Sequence, residues 1–246
     1  MYVTYSNQIL TLTEKVKAKA LSSGADLVGI VSAEQIDALP KHWIGWEIQD
    51  YTRKTKDYME EARSVVVLGF QTWDDAYEIV VVKGEKKEFP VYHRMRLFTT
   101  RISSFLRNLG FKTIVYPELL PQKKMAQLAG MGNFGKNTLV VNPRYGPWIR
   151  LHSVLTDAEM VFDKPFEMDL CGDCLKCVKA CPVGALKPYV VDPDKCLLGI
   201  DDFKRKNPEI KPIFDKYVPR ITRNSYLMCM ACQRACPYGK EERGLV

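Results

Sequence analysis

Eight cysteines in the C-terminal part of the sequence have the spacing of iron–sulfur ligands. The first four, from Cys171 to Cys181, follow the pattern C-x2-C-x2-C-x3-C-P, in which three thiols bind one 4Fe-4S cluster and the fourth binds another. A shorter run, Cys229, Cys232 and Cys236, repeats the end of this pattern, and Cys196 lies alone between the runs. Since each cluster takes four thiolates, eight cysteines suit two 4Fe-4S clusters.

Three closely spaced thiols cover only one side of a cluster, so the fourth must come from a distant part of the chain. If each run supplies the fourth ligand to the cluster of the other run, every thiol is assigned to one cluster. The first cluster is predicted to be bound by Cys171, Cys174, Cys177 and Cys236, and the second by Cys181, Cys196, Cys229 and Cys232. Zinc sites and disulfides are the alternatives. Zinc sites do not usually show the complete run, and nothing in the sequence indicates secretion.

The cysteines divide the chain into two predicted domains, a cysteine-free body (1–162) and a metal-binding domain (163–246). With 246 residues, of which 46% are hydrophobic, the chain can bury a sizeable core. The net charge of +7 counts the thiols as neutral. Thiolates bound to clusters would reduce this excess, so the charge is weak evidence for a nucleic-acid partner.

The sequence also predicts a cytoplasmic protein without membrane insertion. Its N-terminus has neither a basic segment followed by an apolar one nor a twin-arginine pair. No apolar run approaches the roughly 18 residues that a membrane span requires. A reducing compartment suits the cysteines as metal ligands.

The body reads as an α/β fold in which strands and helices alternate. Thr13 is predicted to cap a helix that ends at Gly24. The continuous apolar run Ser64–Phe70 indicates a strand buried on both faces. Apolar residues at helical spacing predict a helix over Pro90–Gly110, followed by a strand over Phe111–Tyr116.

The segment Gly130–Gly135 matches the formal pattern G-x-G-x-x-G. In a dinucleotide site a strand precedes these glycines and a helix follows them, so that the helix N-terminus meets the pyrophosphate. Here a helix is predicted before them, at 121–130, and a strand after them, at Asn137–Asn142. The glycines are therefore interpreted as shaping a loop that approaches a bulky ligand, or simply a turn.

Three features together resemble the epoxyqueuosine reductase and reductive dehalogenase superfamily. They are the segment Ala129–Trp148, the ending Leu155–Asp157 and the cysteine arrangement with the lone Cys196. The resemblance extends over nearly the whole chain. It implies a nitroreductase-like α/β (α+β) body that binds cobalamin and a C-terminal ferredoxin-like domain with two 4Fe-4S clusters.

The resemblance also implies which residues line the corrin ring. They are Gly132, Gly135, Lys136, Asn137, Thr138 and Leu139. From the residue types alone, Lys136 could equally be a solvated lysine and Asn137 a turn residue.

The chain departs from the epoxyqueuosine reductase pattern in two places. Tyr116 stands where those enzymes place a proton-donating Asp, and reductive dehalogenases use a Tyr as proton donor. We therefore expect Tyr116 to be either catalytic or a core aromatic at the end of a strand. Only ten residues follow Cys236, so the helical-repeat extension that helps epoxyqueuosine reductases hold tRNA is not expected. Both departures count against a tRNA substrate.

The resemblance thus implies an oxidoreductase with an external low-potential electron donor of the ferredoxin or flavodoxin type. Electrons would pass through the two clusters to a corrinoid that reduces a small molecule or is itself the substrate. One alternative is an epoxyqueuosine reductase acting on tRNA in queuosine biosynthesis. The other is an electron-transfer protein that has no corrinoid and catalyses no reaction.

Overall fold

The structure is a computed structural model that describes residues 2–44, 48–84, 86–199 and 208–244. The α-helices are α1 Tyr2–Ser22, α2 Ala33–Asp37, α3 Pro90–Asn108, α4 Gln122–Leu128, α5 Lys176–Lys179, α6 Lys211–Tyr217 and α7 Ala231–Arg234. The strands are β1 Leu27–Ser32, β2 Trp43–Ile44, β3 Asp50–Tyr51, β4 Ser64–Gln71, β5 Ile79–Lys83, β6 Lys86–Glu88, β7 Thr113–Val115, β8 Asn133–Phe134, β9 Val140–Val141, β10 Ile149–Thr156, β11 Leu186–Lys187, β12 Val190–Val191, β13 Arg220–Thr222 and β14 Ser225–Leu227. Among the described helices, none has the length and apolar character of a membrane span.

A four-stranded sheet, ordered β1-β4-β10-β7 and antiparallel throughout, forms the centre of the body. Its strand β4 is buried from Ser64 to Phe70, as its apolar run predicted. Successive side chains of a strand point to opposite faces. Val66 and Leu68 therefore pack in the core that includes α1 and α3, whereas Val65 and Val67 pack in the core with α2 and α4. The mixed α/β fold predicted from the sequence is confirmed.

The first helix begins well before its predicted N-cap. Thr13 lies inside α1, where its hydroxyl donates to the carbonyl of Ile9 (2.8 Å) and accepts from the amide of Val161 (2.9 Å). The predicted cap is wrong because a threonine hydroxyl inside a helix can bond to the carbonyl four residues earlier. Thr13 instead attaches α1 to the segment after β10.

A second sheet, ordered β13-β14-β5-β6, joins the two predicted domains. Tyr226 in β14 pairs with Val80 in β5, across the predicted boundary between residues 162 and 163. Phe214 and Val218, from α6 and its end, pack in the same small core as Tyr226 and Val80. The metal-binding part is therefore held to the body by a shared sheet and a shared core.

The C-terminal segment also packs directly on the body. At Gly146 a Cβ atom would lie 2.1 Å from the carbonyl oxygen of Tyr238, and at Gly239 it would lie 2.2 Å from that of Tyr145. Nearby, the Arg243 guanidinium lies over the Trp148 ring, 3.9 Å from its centroid, and pairs with Asp75. Two glycines thus allow two backbone segments to touch where no side chain fits.

We expect Gly146→Ala to lower the midpoint of thermal unfolding by about 6 °C or more, because the methyl group would overlap the Tyr238 carbonyl at a residue with φ +58°. Gly84→Ala is the matched control, since Gly84 has φ +64° and open space around it. It should lower the midpoint by only about 3 °C, the cost of a left-handed alanine. Equal shifts in the two variants would show that the glycine contact is not tight.

Candidate metal centres and active-site cavity

The eight thiols line two separate cavities. A small cavity is lined by Cys171, Cys174, Cys177 and Cys236, called here the first thiol set. A large cavity is lined, among other residues, by Cys181, Cys196, Cys229 and Cys232, the second thiol set. The structure therefore brings together the cysteines that the crossed pattern grouped from the sequence. In the described part of the chain, no three His, Cys, Asp or Glu side chains converge as they would around a single metal ion.

Burial and neighbouring thiols raise the pKa values of several of these cysteines. Burial, with the charges of the other three members of the first thiol set, raises the pKa of Cys236 to about 11. Burial, with Cys229 and Cys196 next in importance, raises the pKa of Cys232 to about 12. Several thiolates close together in a poorly solvated place repel one another, so such groups favour either protonation or a cationic metal core between them.

Lys136 holds the first thiol set against the body. Its backbone N–H points to the sulfur of Cys171 (N···S 3.5 Å), and its ammonium group donates to the carbonyl of Gly172. The carboxylate of Asp169 accepts from the Cys171 amide (2.9 Å) and from the Tyr189 hydroxyl. These contacts fix the loop that carries the first two cysteines.

The large cavity, of about 420 Å³, lies between the body and the metal-binding part. It falls in the usual size range of small-molecule and cofactor sites. Of the residues expected to line a corrin, Asn137, Thr138 and Leu139 line this cavity, and Asn137 also lines the small one. The second thiol set thus shares a cavity with three of the predicted cofactor-binding residues.

The other three residues of that prediction are elsewhere. Lys136 lines the small cavity rather than the large one. At Gly132 a Cβ atom would lie 2.2 Å from the carbonyl oxygen of Val141, and at Gly135 it would lie 2.6 Å from the Val141 side chain. The close approach that requires these glycines is therefore to Val141 in the hairpin β8–β9.

Thr138 has a left-handed backbone conformation, with φ +63°, at the edge of the large cavity. Such a conformation is unfavourable for a β-branched residue and is typical of functional sites. The Thr138 carbonyl accepts a hydrogen bond from the ammonium group of Lys123 (3.0 Å). Burial, followed by the charge of Arg150, lowers the pKa of Lys123. Two cationic side chains therefore lie near each other in this cavity.

Glu78 and Arg150 form a buried ion pair in the wall of the large cavity. Glu78 ends the 3-10 helix Asp75–Glu78 directly before β5, and Arg150 lies near the start of β10. Their side chains are 1% and 23% exposed. Lys123, Glu78, Arg150 and Tyr92 all line the cavity, but sequence reasoning missed them because they stand singly in unremarkable segments.

Tyr116 is not among the described residues that line the large cavity, but its ring lies next to that of Tyr92, which is among them. The two ring centroids are 6.3 Å apart, and the other side of Tyr116 stacks on His152 (4.3 Å). Burial, with Tyr92 and Glu118 contributing less, raises the pKa of Tyr116 above its usual range. With φ +50°, this tyrosine also has a strained backbone for an aromatic residue.

His152 is buried beside Tyr116, and burial together with the charge of Arg96 lowers its pKa to about 4. As far as the chain is described, its Nδ1 atom has no hydrogen-bonding partner. A neutral imidazole is therefore stacked against the phenol at neutral pH.

Comparison with known proteins supports the assignment of the cysteines to two iron–sulfur clusters. Residues 170–239 match the family described as "4Fe-4S double cluster binding domain". An epoxyqueuosine reductase from Listeria monocytogenes is 27% identical, with 98% of this chain and 68% of the relative covered. A second, from Bacillus subtilis, is 25% identical, with 94% and 64% covered.

Solved structures show the same fold. An epoxyqueuosine reductase crystallised with a tRNA-Tyr epoxyqueuosine-modified stem loop has a TM-score of 0.66 at 23% identity, covering 94% of this chain and 66% of the other. A reductive dehalogenase, whose structure suggested a mechanism for B12-dependent dehalogenation, has a TM-score of 0.60 at 19% identity, covering 94% and 33%. This chain spans about two thirds of the length of several such reductases.

These findings confirm the resemblance and the fold that the sequence predicted. The chain is similar to epoxyqueuosine reductases over nearly its whole length, and it carries a domain for two 4Fe-4S clusters. Its relatives are reductases, in agreement with the predicted oxidoreductase class.

We expect Cys171→Ser and Cys236→Ser to lose one and the same cluster, because both thiols line the small cavity. Cys181→Ser and Cys229→Ser should lose the other. Each variant should keep about half of the iron, since four thiolates hold each cluster. Iron analysis and EPR spectra of the reduced proteins, recorded without oxygen, should be alike within each pair and differ between pairs. Different spectra for Cys171→Ser and Cys236→Ser would contradict the grouping.

Proposed function

We propose that this protein is a cobalamin-dependent iron–sulfur reductase of the epoxyqueuosine reductase type, with an epoxide on a modified tRNA base as substrate. One observation carries the proposal. The second thiol set lines the same cavity as Asn137, Thr138 and Leu139, in a chain similar to such reductases over 98% of its length. A low-potential ferredoxin or flavodoxin would be the electron donor.

The order of electron transfer follows from the two cavities. The first thiol set lines only the small cavity, whereas the second lines the large one. Electrons would therefore enter at the first cluster, pass to the second and leave toward the cofactor. Asn137 lines both cavities and is 4% exposed, so it would lie between the two clusters.

The lining of the large cavity suits cobalamin, whose large ring bears amide side chains. Apolar groups such as Leu139 and Ile149 would pack against the ring, and the polar groups Glu78, Arg150 and Lys123 would meet its side chains. Asn137, Thr138 and Leu139 would hold one edge. When bound, cobalamin supplies a metal that accepts single electrons and reacts at low potential, which the protein's own side chains cannot do.

The protons for the reaction would come from the tyrosine pair. Reducing an epoxide to an alkene takes up two electrons and two protons and releases water. Tyr92 lines the cavity, and Tyr116 lies next to it and against the neutral His152. A phenol with a raised pKa keeps its proton at neutral pH, so it can give that proton only to a strongly basic oxygen or carbon.

A small-molecule substrate is the second candidate. The observation in its favour is Tyr116, which stands at the position of the proton-donating Asp of epoxyqueuosine reductases, as a tyrosine does in reductive dehalogenases. The comparisons favour the tRNA substrate more strongly, since the relatives reported above over nearly the whole chain are epoxyqueuosine reductases.

The proposal can be tested without oxygen in two steps. First, the EPR spectrum of cob(II)alamin should change to a protein-bound form when the protein with both clusters is added. Second, a reduced holoprotein should convert an epoxyqueuosine-containing tRNA stem loop to its reduced product. Binding of cobalamin without turnover of the RNA would favour the small-molecule candidate. An unchanged cob(II)alamin spectrum would leave an electron-transfer protein and overturn the proposal.

We expect Tyr116→Phe to lower the rate of product formation about 100-fold or more, because Tyr116 would resupply the proton that Tyr92, which lines the cavity, gives to the substrate, and general acid catalysis contributes about that much. Cobalamin binding and iron content should not change, since the hydroxyl lies outside the cavity lining. Tyr51→Phe, at an exposed residue packed on Trp43, is the control and should keep its rate. An unchanged rate in Tyr116→Phe would assign this residue to the core.

A further inference from the structure

We propose that one end of the second sheet, which lies beside the large cavity, binds the phosphate backbone of the RNA substrate. This end is called here the cationic tip and is formed by Lys83, Lys86 and Arg223. The inference rests on the proposed function and adds the surface that would hold the RNA while its modified base reaches the cavity.

Strand pairing brings the three cations together. Lys83, at the end of β5, lies directly opposite Lys86, at the start of β6. The Val82 amide donates to the carbonyl of Asn224 (2.7 Å), so the turn between β13 and β14 lies beside the same end of β5. Arg223 directly precedes Asn224 in that turn. All three cations of the tip are exposed to solvent.

The charge in this part of the sheet is one-sided. In the described residues 79–84, 86–88 and 220–227, Glu88 is the one carboxylate, against five cations. Two of the cations, Lys87 and Arg220, flank the tip, which supplies the other three. Glu85, between β5 and β6, lies outside the described residues. The sheet therefore presents a surplus of positive charge at this end.

Two lysines opposite each other are unfavourable for folding. Like charges on directly opposed residues of an antiparallel pair repel each other, and Lys83 and Lys86 form such a pair. In the part of the chain that the structure describes, no side chain of the tip makes an ion pair. An anion bound across the tip would offset the repulsion, and the phosphates of nucleic acids are common partners of such lysines and arginines.

Protection of sheet edges explains only part of this charge. Cations on an edge strand discourage pairing with another chain. This role suits Lys86 and Lys87 on β6 and Arg220 on β13, the two edge strands of the sheet. It does not suit Lys83, which lies on the interior strand β5, or Arg223, which lies in a turn.

The cationic tip lies close to the large cavity. Val80 and Tyr226 pair across β5 and β14, and both line the cavity, as does Lys87. Lys83 follows Val80 by three residues, which is about 10 Å along an extended strand. An RNA strand with one base in the cavity would therefore have neighbouring phosphates at the tip.

This position favours the substrate over the electron donor as the partner. In the proposed order of electron transfer the donor meets the first cluster, whose thiols line the small cavity. Among the described residues that line the small cavity, none belongs to the second sheet. The nucleotide tail of cobalamin also carries a phosphate, so the experiment has to separate the cofactor from the RNA.

The test measures how RNA binding depends on salt, with protein that carries both clusters and cobalamin and is kept without oxygen. A fluorescent tRNA stem loop, with or without epoxyqueuosine, is titrated with wild type, Lys83→Gln, Lys86→Gln and Arg223→Gln at several KCl concentrations. Each substitution should make the plot of log K against log [KCl] less steep by about 0.7 to 0.9, because one phosphate contact is lost.

A variant with all three substitutions should make the plot less steep by about 2 and should bind the RNA about tenfold more weakly at low salt. The loss should be the same for both stem loops, because phosphate contacts carry no information about the base. The affinity for cob(II)alamin should not change.

Lys112→Gln is the matched control. Lys112 is exposed and lies beyond the far end of α3, whose 19 residues span about 28 Å from their start beside β6. Loss of its charge should leave the salt dependence as in wild type. Lys83→Gln and Lys86→Gln should unfold at no lower temperature than wild type, because either substitution relieves the repulsion between the two lysines.

The outcomes separate the inference from the proposed function. If wild type binds cob(II)alamin but neither stem loop, the tRNA substrate and the inference fail together. If wild type binds and reduces the modified stem loop while all the tip variants keep its salt dependence, the inference alone is overturned. The expected changes in salt dependence without reduction of the RNA would contradict the proposed function and support RNA binding at the tip.

Two other results would assign the cations to a different role. Weaker binding of cob(II)alamin at unchanged RNA affinity would assign them to the phosphate of the cofactor. Self-association of the variants at unchanged RNA affinity, measured by size-exclusion chromatography, would assign them to edge protection. Either result overturns the inference.

Discussion

Each cluster requires four thiolates at one place, and the chain supplies them from segments far apart in sequence. The metal-binding part therefore has to be closed before either site exists. Three features close it: the pairing of β14 with β5, the small core around Val80 and Tyr226, and the contact between Gly146 and Gly239. Because β5 belongs to the body, the two predicted domains depend on each other through this closure.

The same closure forms the large cavity. One wall comes from the body, with Glu78, Arg150 and the segment from Asn137 to Leu139, and the other from the second thiol set. Buried charge and strained backbone are concentrated there, as in the Glu78–Arg150 pair and the left-handed Thr138. Such features oppose folding and persist where the surrounding structure holds them, which is common where a protein binds a cofactor.

In the proposed function, the groups that carry electrons and those that supply protons lie on different elements. Seven of the thiols come from α5, α7 and the segments beside them, and Cys196 comes from the segment after β12, whereas the tyrosine pair comes from α3 and the end of β7. Electrons and protons would therefore reach the cavity from different sides. Tyr116 stacks on the neutral His152, and burial raises the pKa of its phenol, which keeps it a weak acid.

The sequence by itself determined the number and grouping of the thiols, the buried strand β4 and the mixed α/β fold, because ligand spacing and hydrophobic periodicity are local patterns. It could not show that Gly132 and Gly135 serve their own hairpin, since a close approach depends on what lies opposite a residue. Nor could it place Lys136 at the small cavity or Tyr116 next to Tyr92. Glu78 and Arg150 stand 72 positions apart and share no motif. Only the tertiary structure brings them together, because the antiparallel sheets place the segment before β5 beside the start of β10.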